Sequence, residues 1–468
     1  MNSRYDGCAR RDLDLALSRC GPAFERLRDA HIFITGGTGF FGRWLLALVA
    51  YAHAQYGVRA TVLTRSVERA QRDLPELANH ESVALVQGDV RYFEFPKGRF
   101  THIVHAAADT SVAADRDPAT LIDTIVGGTR RVLEFAASAG ALRLLYVSSG
   151  AIYGAQPADL AHIPETWTGA PDPLDPRSAY GQAKRLAEQM CVCAAAQGKF
   201  APVIARAFAF AGPGLPLDGH FAVGNFIRDA LAGRDIVVSG DGTPLRSYLY
   251  AGDLAAWLVT LLARGEANRA YNVGSDAAIS IADLARRVAD LAPQNTGVEI
   301  RGKAAPGAPR ARYIPSIEAA RNLGLDAWTP LDAAIEATMR FAETQVSRGK
   351  HGVTQAPRNE HGGKTLTFVI DVDGVVASLS PGNDYNLAEP LHAQIEAINR
   401  LFAQGHRIVM FTARGSATGM DWRETTQAQF ARWGLDYHEL HFGKPAADYY
   451  IDDRLLPIGA LHALSQNT

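Results

Sequence analysis

The sequence predicts an α/β protein in two modules. A doubly wound parallel sheet with a small substrate-binding subdomain is expected over residues 31–344, and a second, small α/β domain over 364–468. Three observations predict this. An apolar stretch, residues 31–35, runs into a turn with glycines at 36, 39 and 42 and then into a helix-length apolar segment. Strand-like and helix-like segments alternate downstream, the pattern of a parallel sheet covered by helices on both faces. Near residue 366 the pattern starts afresh, with a strongly apolar strand ending in Asp371-Val372-Asp373-Gly374.

A chain of 468 residues has room for two to three domains. Hydrophobic residues make up 47% and charged residues 21%, with a formal net charge of −2, the balance of a soluble globular protein. There is no Lys/Arg block, so nothing favours a nucleic-acid or anionic-membrane partner. Cys8, Cys20, Cys191 and Cys193 fit neither a disulfide framework nor a zinc spacing, which points to a reducing cytoplasm. The N-terminus lacks an apolar signal core, and the longest apolar run, 44–54, is too short to span a bilayer.

Residues 12–30 predict a helical extension with Leu13, Leu15, Leu17, Phe24 and Leu27 on its buried side. In the glycine turn that follows strand 31–35, Gly36 permits the tight bend and Gly39 lets backbone approach a pyrophosphate. Gly42 lets helix 43–55 lie close to the strand. The diphosphate is expected at the positive end of that helix. Strand 60–64 ends at Thr64-Arg65-Ser66. An acidic residue there would take the 2′-hydroxyl of NAD; Arg65 instead suits a 2′-phosphate and tilts the cofactor toward NADP.

Strand 83–87 leads into Gly88-Asp89-Val90. Strand 101–105 leads into Ala106-Ala107-Ala108, small residues that leave room for a flat cofactor. Strand 142–147 runs into Ser148-Ser149-Gly150-Ala151-Ile152-Tyr153. After a loop rich in proline and aspartate, helix 178–193 opens on Tyr180-Gly181-Gln182-Ala183-Lys184. Tyr180 and Lys184, four apart, share a helix face; Cys191 and Cys193, two apart, do not.

With these motifs in order, residues 31–345 resemble the extended short-chain dehydrogenases/reductases, the nucleotide-sugar epimerases and dehydratases with a Rossmann-type sheet. The likeness continues through 206–213, Gly224-Asn225-Phe226-Ile227, Gly240-Asp241-Gly242, Arg246-Ser247-Tyr248 and Tyr271-Asn272-Val273-Gly274. The resemblance implies that NAD or NADP is held by Gly36, Thr38, Gly39, Phe40, Phe41, Gly42, Arg65, Asp89, Val90, Ala106 and Ala107, with Tyr180 and Lys184. It also implies that Tyr180 is general acid/base on a sugar hydroxyl, that Ser149 bonds the same oxygen, and that Lys184 holds the nicotinamide ribose. Tyrosine titrates near ~10; Lys184⁺ and the nicotinamide are expected to lower that value by favouring phenolate. Asn225, Arg246 and Arg312 would hold the substrate diphosphate, the arginines through bidentate contacts. A homodimer is the expected assembly.

One departure separates subclasses. Relatives that dehydrate or decarboxylate the sugar carry acids, or at least a glutamate, at the two positions after the Ser/Thr. Here Gly150 and Ala151 stand there, and neither moves a proton. The expectation is therefore a 4-epimerase or 4-keto reductase, with a dehydratase or decarboxylase as the alternative.

Residues 345–363 lose apolar periodicity and read as a linker. Strand 366–370 then ends in Asp371 and Asp373, two apart and so able to share one site. Helix 389–404, strand 407–411 with Thr412-Ala413-Arg414, Gly443-Lys444-Pro445, and Asp452-Asp453 follow. This order resembles the haloacid-dehalogenase-like phosphatases, in particular short members found with surface-polysaccharide genes. The resemblance implies that Asp371 attacks phosphorus, that Asp373 protonates the leaving group, and that Thr412 and Lys444 bind the phosphoryl group. Asp371, Asp373 and Asp452 or Asp453 would hold Mg²⁺. The spacing from Asp371 to Thr412 leaves no room for a large cap. The whole reads as a bifunctional enzyme acting on nucleotide-sugar and sugar-phosphate small molecules; a dinucleotide-binding domain that only regulates a phosphatase is the rival reading.

Overall fold

Seven strands, each with an aliphatic or aromatic centre, build the sheet of the first unit. They are β1 (His31–Thr35), β2 (Arg59–Thr64), β3 (Val83–Gln87), β4 (His102–His105), β5 (Arg143–Ser149), β6 (Ala201–Ala207) and, further on, the strand Arg269–Val273. All pair in parallel, in the order 269–273, β6, β5, β4, β1, β2, β3. The computed structural model describes residues 5–108, 117–198, 200–219, 221–303, 310–352, 366–378, 384–415 and 422–442, with side chains for all but 346–352. It divides into two units, Met1–Val346 and Ser347–Thr468.

The strand order reverses between β1 and β4, and a crevice opens at the carboxyl edge there. α2 (Phe40–Tyr56) leaves β1 through the glycine turn, and α3 (Pro118–Ser138) and α4 (Ala179–Ala195) cover the face on the other side. Cys191 on α4 is buried and Cys193 exposed, as their spacing requires.

α1 (Arg10–Arg26) is the predicted N-terminal helix. Its buried stripe is Leu13, Ala16, Cys20, Ala23 and Phe24, a spacing of three and four. Leu15, expected on that side, is 41% exposed, because two residues from Leu13 carries it most of the way round the helix. α1 packs on α5 (Ala251–Arg264), in which every residue but Arg264 is buried. Arg19 pairs with the enclosed Asp253 of α5, and the Tyr250 hydroxyl donates to Asp12 at 2.6 Å.

A smaller layer follows the sheet. β7 (Leu245–Arg246) pairs in parallel with β8 (Arg312–Tyr313), Leu245 opposite Arg312 and Arg246 opposite Tyr313. α6 (Leu331–Gly352) closes the unit. It overruns the expected start of the linker at 345: no proline interrupts the segment until Pro357, so a polar stretch continues the helix instead of ending it.

The second unit has a parallel sheet of β9 (Thr367–Asp371), β10 (Arg407–Thr412) and β11 (Glu439–Phe442), in that order. Helices α7 (His392–Ala403) and α8 (Arg423–Trp433) cover it. Ile370, Val372, Ile398, Met410 and Phe430 lie in its core. Among the described residues no helix is long and apolar enough to cross a membrane.

Candidate functional site

The glycine turn meets its physical requirement twice over. Gly36 has φ +73°, and a Cβ there would fall 2.6 Å from the Ala106 carbonyl oxygen. A Cβ on Gly42 would fall 2.3 Å from the Gly37 carbonyl carbon. Among the described residues no side chain makes a cap hydrogen bond to α2, whose cap residue is Gly39, so its first N–H groups and positive end are open to a ligand anion. That cradle fits a dinucleotide diphosphate. Thr38 and Gly39 are exposed at its mouth; Phe40 and Phe41 are half-buried, and Phe41 lies edge-on to Phe210, 4.8 Å between ring centres.

Ala106 and Ala107 line the crevice from the end of β4. Their backbone is held from below. The Ala107 N–H donates to Thr35 Oγ1 at 3.2 Å, and Thr35 Oγ1 lies 2.7 Å from His105 Nδ1. Arg65 is exposed just past β2. Asp89 is bound by Arg91 at 2.9 Å. The Arg91 bonds hold its carboxyl below the usual range, with Arg65 a smaller contributor. Val90 packs in the core under α3.

Ser149 ends β5 and is 8% exposed; its Oγ accepts the Ala151 N–H at 3.1 Å. Tyr180 and Lys184 stand on one face of α4, the Lys184 ammonium 5.9 Å from the Tyr180 ring centre and 5.0 Å from that of Tyr146. Lys184 Nζ donates to the Val147 carbonyl at 2.8 Å. Burial draws its pKa down from 10.5 to about 8, against the opposing pull of Glu188. Ser149, Tyr180 and Lys184 thus gather at the carboxyl edge beside the crevice.

Burial raises the Tyr180 phenol above its ordinary value, with Ser149 as the smaller, opposing influence. Lys184 spends a hydrogen bond on Val147 and sits over the ring, not at the hydroxyl.

Two groups around this site escaped the sequence reading. Tyr313, from β8, is half-buried against Phe208 with ring centres 4.6 Å apart. A Cβ on Gly150 would fall 2.6 Å from its hydroxyl oxygen and 2.8 Å from Phe208. The glycine after Ser149 was the available signal: it marks a space that something fills. His105 is the second, its ring buried between Thr35 and Thr129.

Asn225, on the helix Ala222–Leu231, lines a cavity of about 430 Å³ with Phe226, Val238, Gly240 and Ile281. Its amide donates to the Gly219 carbonyl at 3.0 Å. Arg246 donates to the Leu245 carbonyl at 2.8 Å, and its guanidinium lies 5.9 Å from the Tyr313 ring centre. Arg312 is one step out of register with Arg246 on the paired strand, so the two side chains leave opposite faces of that ladder.

In the second unit Asp371 and Thr412 end neighbouring parallel strands. Asp371 Oδ1 accepts the Val372 N–H at 2.8 Å. Asp373 is gripped through both oxygens by Arg414, at 2.7 to 3.1 Å. Arg414 is 2% exposed and also donates to Thr426 and Gln429. It was not anticipated as a site residue. Lys444, Asp452 and Asp453 lie outside the described residues. Among the described residues no group of three or more His, Cys, Asp or Glu gathers to hold a metal ion.

Residues 32–274 match the model of the NAD dependent epimerase/dehydratase family. UDP-glucuronic acid decarboxylase 3 of Arabidopsis thaliana is 31% identical over 306 residues, which is 64% of this chain and 85% of that protein. The solved UDP-glucose 4-epimerase of Thermotoga maritima, with UDP-glucose, matches at a TM-score of 0.57 and 22% identity, covering 68% of this chain and 99% of that one. The Bordetella bronchiseptica enzyme WbmF in complex with NADH matches at a TM-score of 0.57 and 19% identity, covering 70% and 96%. These two likenesses are of fold.

Proposed function

The chain belongs to the NAD dependent epimerase/dehydratase family, and from that premise we propose that it acts at C4 of a nucleoside-diphosphate sugar as a 4-epimerase or 4-keto reductase. One observation carries the reading: Ser149, Tyr180 and Lys184 stand beside the Gly36–Gly42 cradle while Gly150 and Ala151 supply no acid. NAD, when bound, supplies the hydride acceptor and donor. Tyr180 takes the proton of the sugar hydroxyl in oxidation and returns it in reduction. Ser149 orients the same oxygen, and Lys184 holds the ribose next to it. Asn225 and Arg246 take the diphosphate, with the 430 Å³ cavity beside Asn225 for the nucleoside. Arg312 leaves the opposite face of the β7–β8 ladder, so the diphosphate assignment rests on Asn225 and Arg246 without it. Epimerisation leaves the redox balance unchanged, whereas reduction consumes a dihydronicotinamide.

UDP-glucuronic acid is the first substrate to offer, because the Arabidopsis relative is named for decarboxylating it. That relative also favours a second reading, decarboxylation, which Ala151 opposes because no carboxylate stands there. Incubation with NAD and UDP-glucuronic acid, UDP-glucose or UDP-N-acetylglucosamine, followed by mass spectrometry and NMR, tests the proposal. An isomer of unchanged mass supports it. Loss of carbon dioxide or of water overturns it in favour of the decarboxylase or dehydratase. No turnover of any of the three, nor of a 4-keto nucleotide sugar supplied with NADH, leaves the dinucleotide-binding regulator as the better reading. Parallel titration with NADP decides whether Arg65 selects a 2′-phosphate. Sedimentation of the same sample tests the expected homodimer.

We also propose that the second unit is a phosphatase of the haloacid-dehalogenase-like kind, with Asp371 as nucleophile and Thr412 and Lys444 on the phosphoryl group. Asp371 and Thr412 ending adjacent parallel strands support this. Oxygen donors suit Mg²⁺, a hard ion that lowers the charge on a phosphoryl group; Asp371 and Asp373 with Asp452 or Asp453 would hold it. Release of phosphate from hexose phosphates with Mg²⁺, abolished by Asp371→Asn, is the expected result. Equal release by the variant overturns it.

A further inference from the structure

Three consecutive residues that follow Ser149 closely are fastened to α4 at three levels. The 3₁₀ turn Gly150–Tyr153 leaves β5 directly. Gly181, Arg185 and Glu188 face it from one row of α4, at the spacing of four and three that keeps residues in line. At the first level a Cβ on Gly181 would fall 2.7 Å from the Ala151 carbonyl oxygen and 3.2 Å from its carbon, so helix backbone lies against turn backbone. At the second, Arg185 donates to the Ile152 carbonyl at 3.3 Å and to the Gly169 carbonyl at 2.9 Å. At the third, Arg206 of β6 donates to Glu188 at 2.8 Å and to the Tyr153 hydroxyl oxygen at 2.7 Å. The Arg206 and Glu188 side chains are only 14% and 9% exposed, and breaking a pair so shielded is costly.

The first level reaches the reacting groups on both sides. The Ala151 N–H donates to Ser149 Oγ at 3.1 Å. The Ala151 carbonyl lies against Gly181, the residue after Tyr180. One residue, Ala151, therefore stands between the Ser149 hydroxyl and the helix that carries Tyr180. The row of Tyr180 and Lys184 runs beside the fastened row on the same helix, so whatever fixes one row fixes the other.

We propose that Gly181 is a positioning residue for the acid/base step: its missing side chain sets how near the Tyr180 helix comes to the Ser149 turn, and Arg185 with the Glu188–Arg206 pair holds that spacing. The inference rests on the reading of Ser149 and Tyr180 as the groups that meet the sugar oxygen. A side chain at 181 would meet backbone, which cannot swing aside. Helix and turn would have to part by about 0.7 Å to reach ordinary contact. A misplacement approaching that scale at reacting groups costs on the order of a hundredfold in rate.

Two variants of the full chain test it, with NAD and whichever nucleotide sugar turns over. Gly181→Ala drives helix and turn apart; Arg185→Met removes a fastening without adding bulk at the contact. In both, kcat is expected to fall, about a hundredfold for Gly181→Ala and less for Arg185→Met. KM and the Kd for NAD are expected to stay within about twofold, since only the reacting groups are misplaced. An unchanged kcat, or KM and NAD affinity that worsen along with it, would mean a merely structural role and overturns the proposal. So does recovery of kcat when Pro171→Ala is added to Gly181→Ala, because Pro171 Cγ, 3.0 Å from the added Cβ, belongs to the neighbouring loop and not to the Ser149 turn. Should Gly181→Ala fail to fold, Arg185→Met carries the same test. A crystal structure of Gly181→Ala needs no turnover: a Ser149–Tyr180 separation equal to that of the parent chain overturns the role of Gly181 alone, whereas absence of turnover by the parent chain on every nucleotide sugar overturns the proposed activity alone.

Discussion

Thr35 Oγ1 and His105 Nδ1 lie 2.7 Å apart, and this contact joins the ends of β1 and β4 beneath the cofactor crevice. Its direction follows from the neighbours. Thr129 donates to the Ile125 carbonyl at 2.6 Å, so it accepts from His105 Nε2–H at 3.0 Å. His105 Nδ1 is then the acceptor for the Thr35 hydroxyl, whose oxygen accepts the Ala107 N–H. The chain of bonds works only with a neutral imidazole.

Acid should therefore loosen this pocket. Burial, with the Lys184 charge, lowers the His105 pKa from 6.5 to about 3. Between those values the unfolded chain binds a proton that the folded chain refuses, so stability is lost as pH falls from 6.5 toward 3. Urea unfolding across that range should show the loss, and His105→Gln should flatten part of the slope. Equal slopes for the two proteins would remove His105 as a cause.

Lys184 gives the opposite sign at the alkaline end. Its folded pKa of about 8 lies below the ordinary 10.5, so in that window the unfolded chain binds the extra proton and stability rises with pH. With Lys184 on the ribose as proposed, activity should fall over the same window, because the ribose loses its cationic partner. A protein that gains unfolding free energy while losing kcat/KM above pH 8 is the expected signature. Lys184→Met should abolish both trends.

Gly42→Ala should separate binding from folding. The added Cβ meets backbone, not a flexible side chain, so the glycine turn must shift. Overpacking of that kind costs about 1–3 kcal/mol. NAD affinity measured by calorimetry should fall by more than tenfold, as about 1.4 kcal/mol per decade requires, with the chain still folded.

The buried pair of Arg414 and Asp373 offers a check on the second unit. Removing one member of a fully buried pair costs about 3–5 kcal/mol; Asp373 keeps 18% of its side chain exposed, so a smaller loss is expected when Arg414 is removed. Arg414→Met should lower the unfolding midpoint of the full chain and reduce phosphate release. Adding Asp373→Leu should recover much of the stability without the activity. A double variant no more stable than the single one would refute the pairing energy.

What was legible in the sequence was local. The glycine spacing of the first turn, the apolar cores of β1 to β5 and the four-residue step from Tyr180 to Lys184 are all short-range periodicities, and the structure repeats them. What was not legible came from elsewhere in the chain or from the surrounding medium. Tyr313 reaches the space beside Gly150 from far along the sequence, through a two-residue strand too short to give a pattern. The spacing placed Lys184 beside Tyr180, but it carried no information on burial, which acts on both groups more strongly than either acts on the other. Leu15 and the overrun of α6 past 345 are errors of phase and of stop signal. Lys444, Asp452 and Asp453 stand as sequence expectations, outside the described residues.

The docking of α1 on α5 bears on how the protein should be handled. The family match begins at residue 32, yet α5 is apolar on all sides and α1 roofs one of them. A fragment cut at the family boundary would bare that wall and strand Asp253 without Arg19. A piece of this module that keeps α1 starts ahead of Arg10, and expression trials that trim to the recognised segment should yield aggregate.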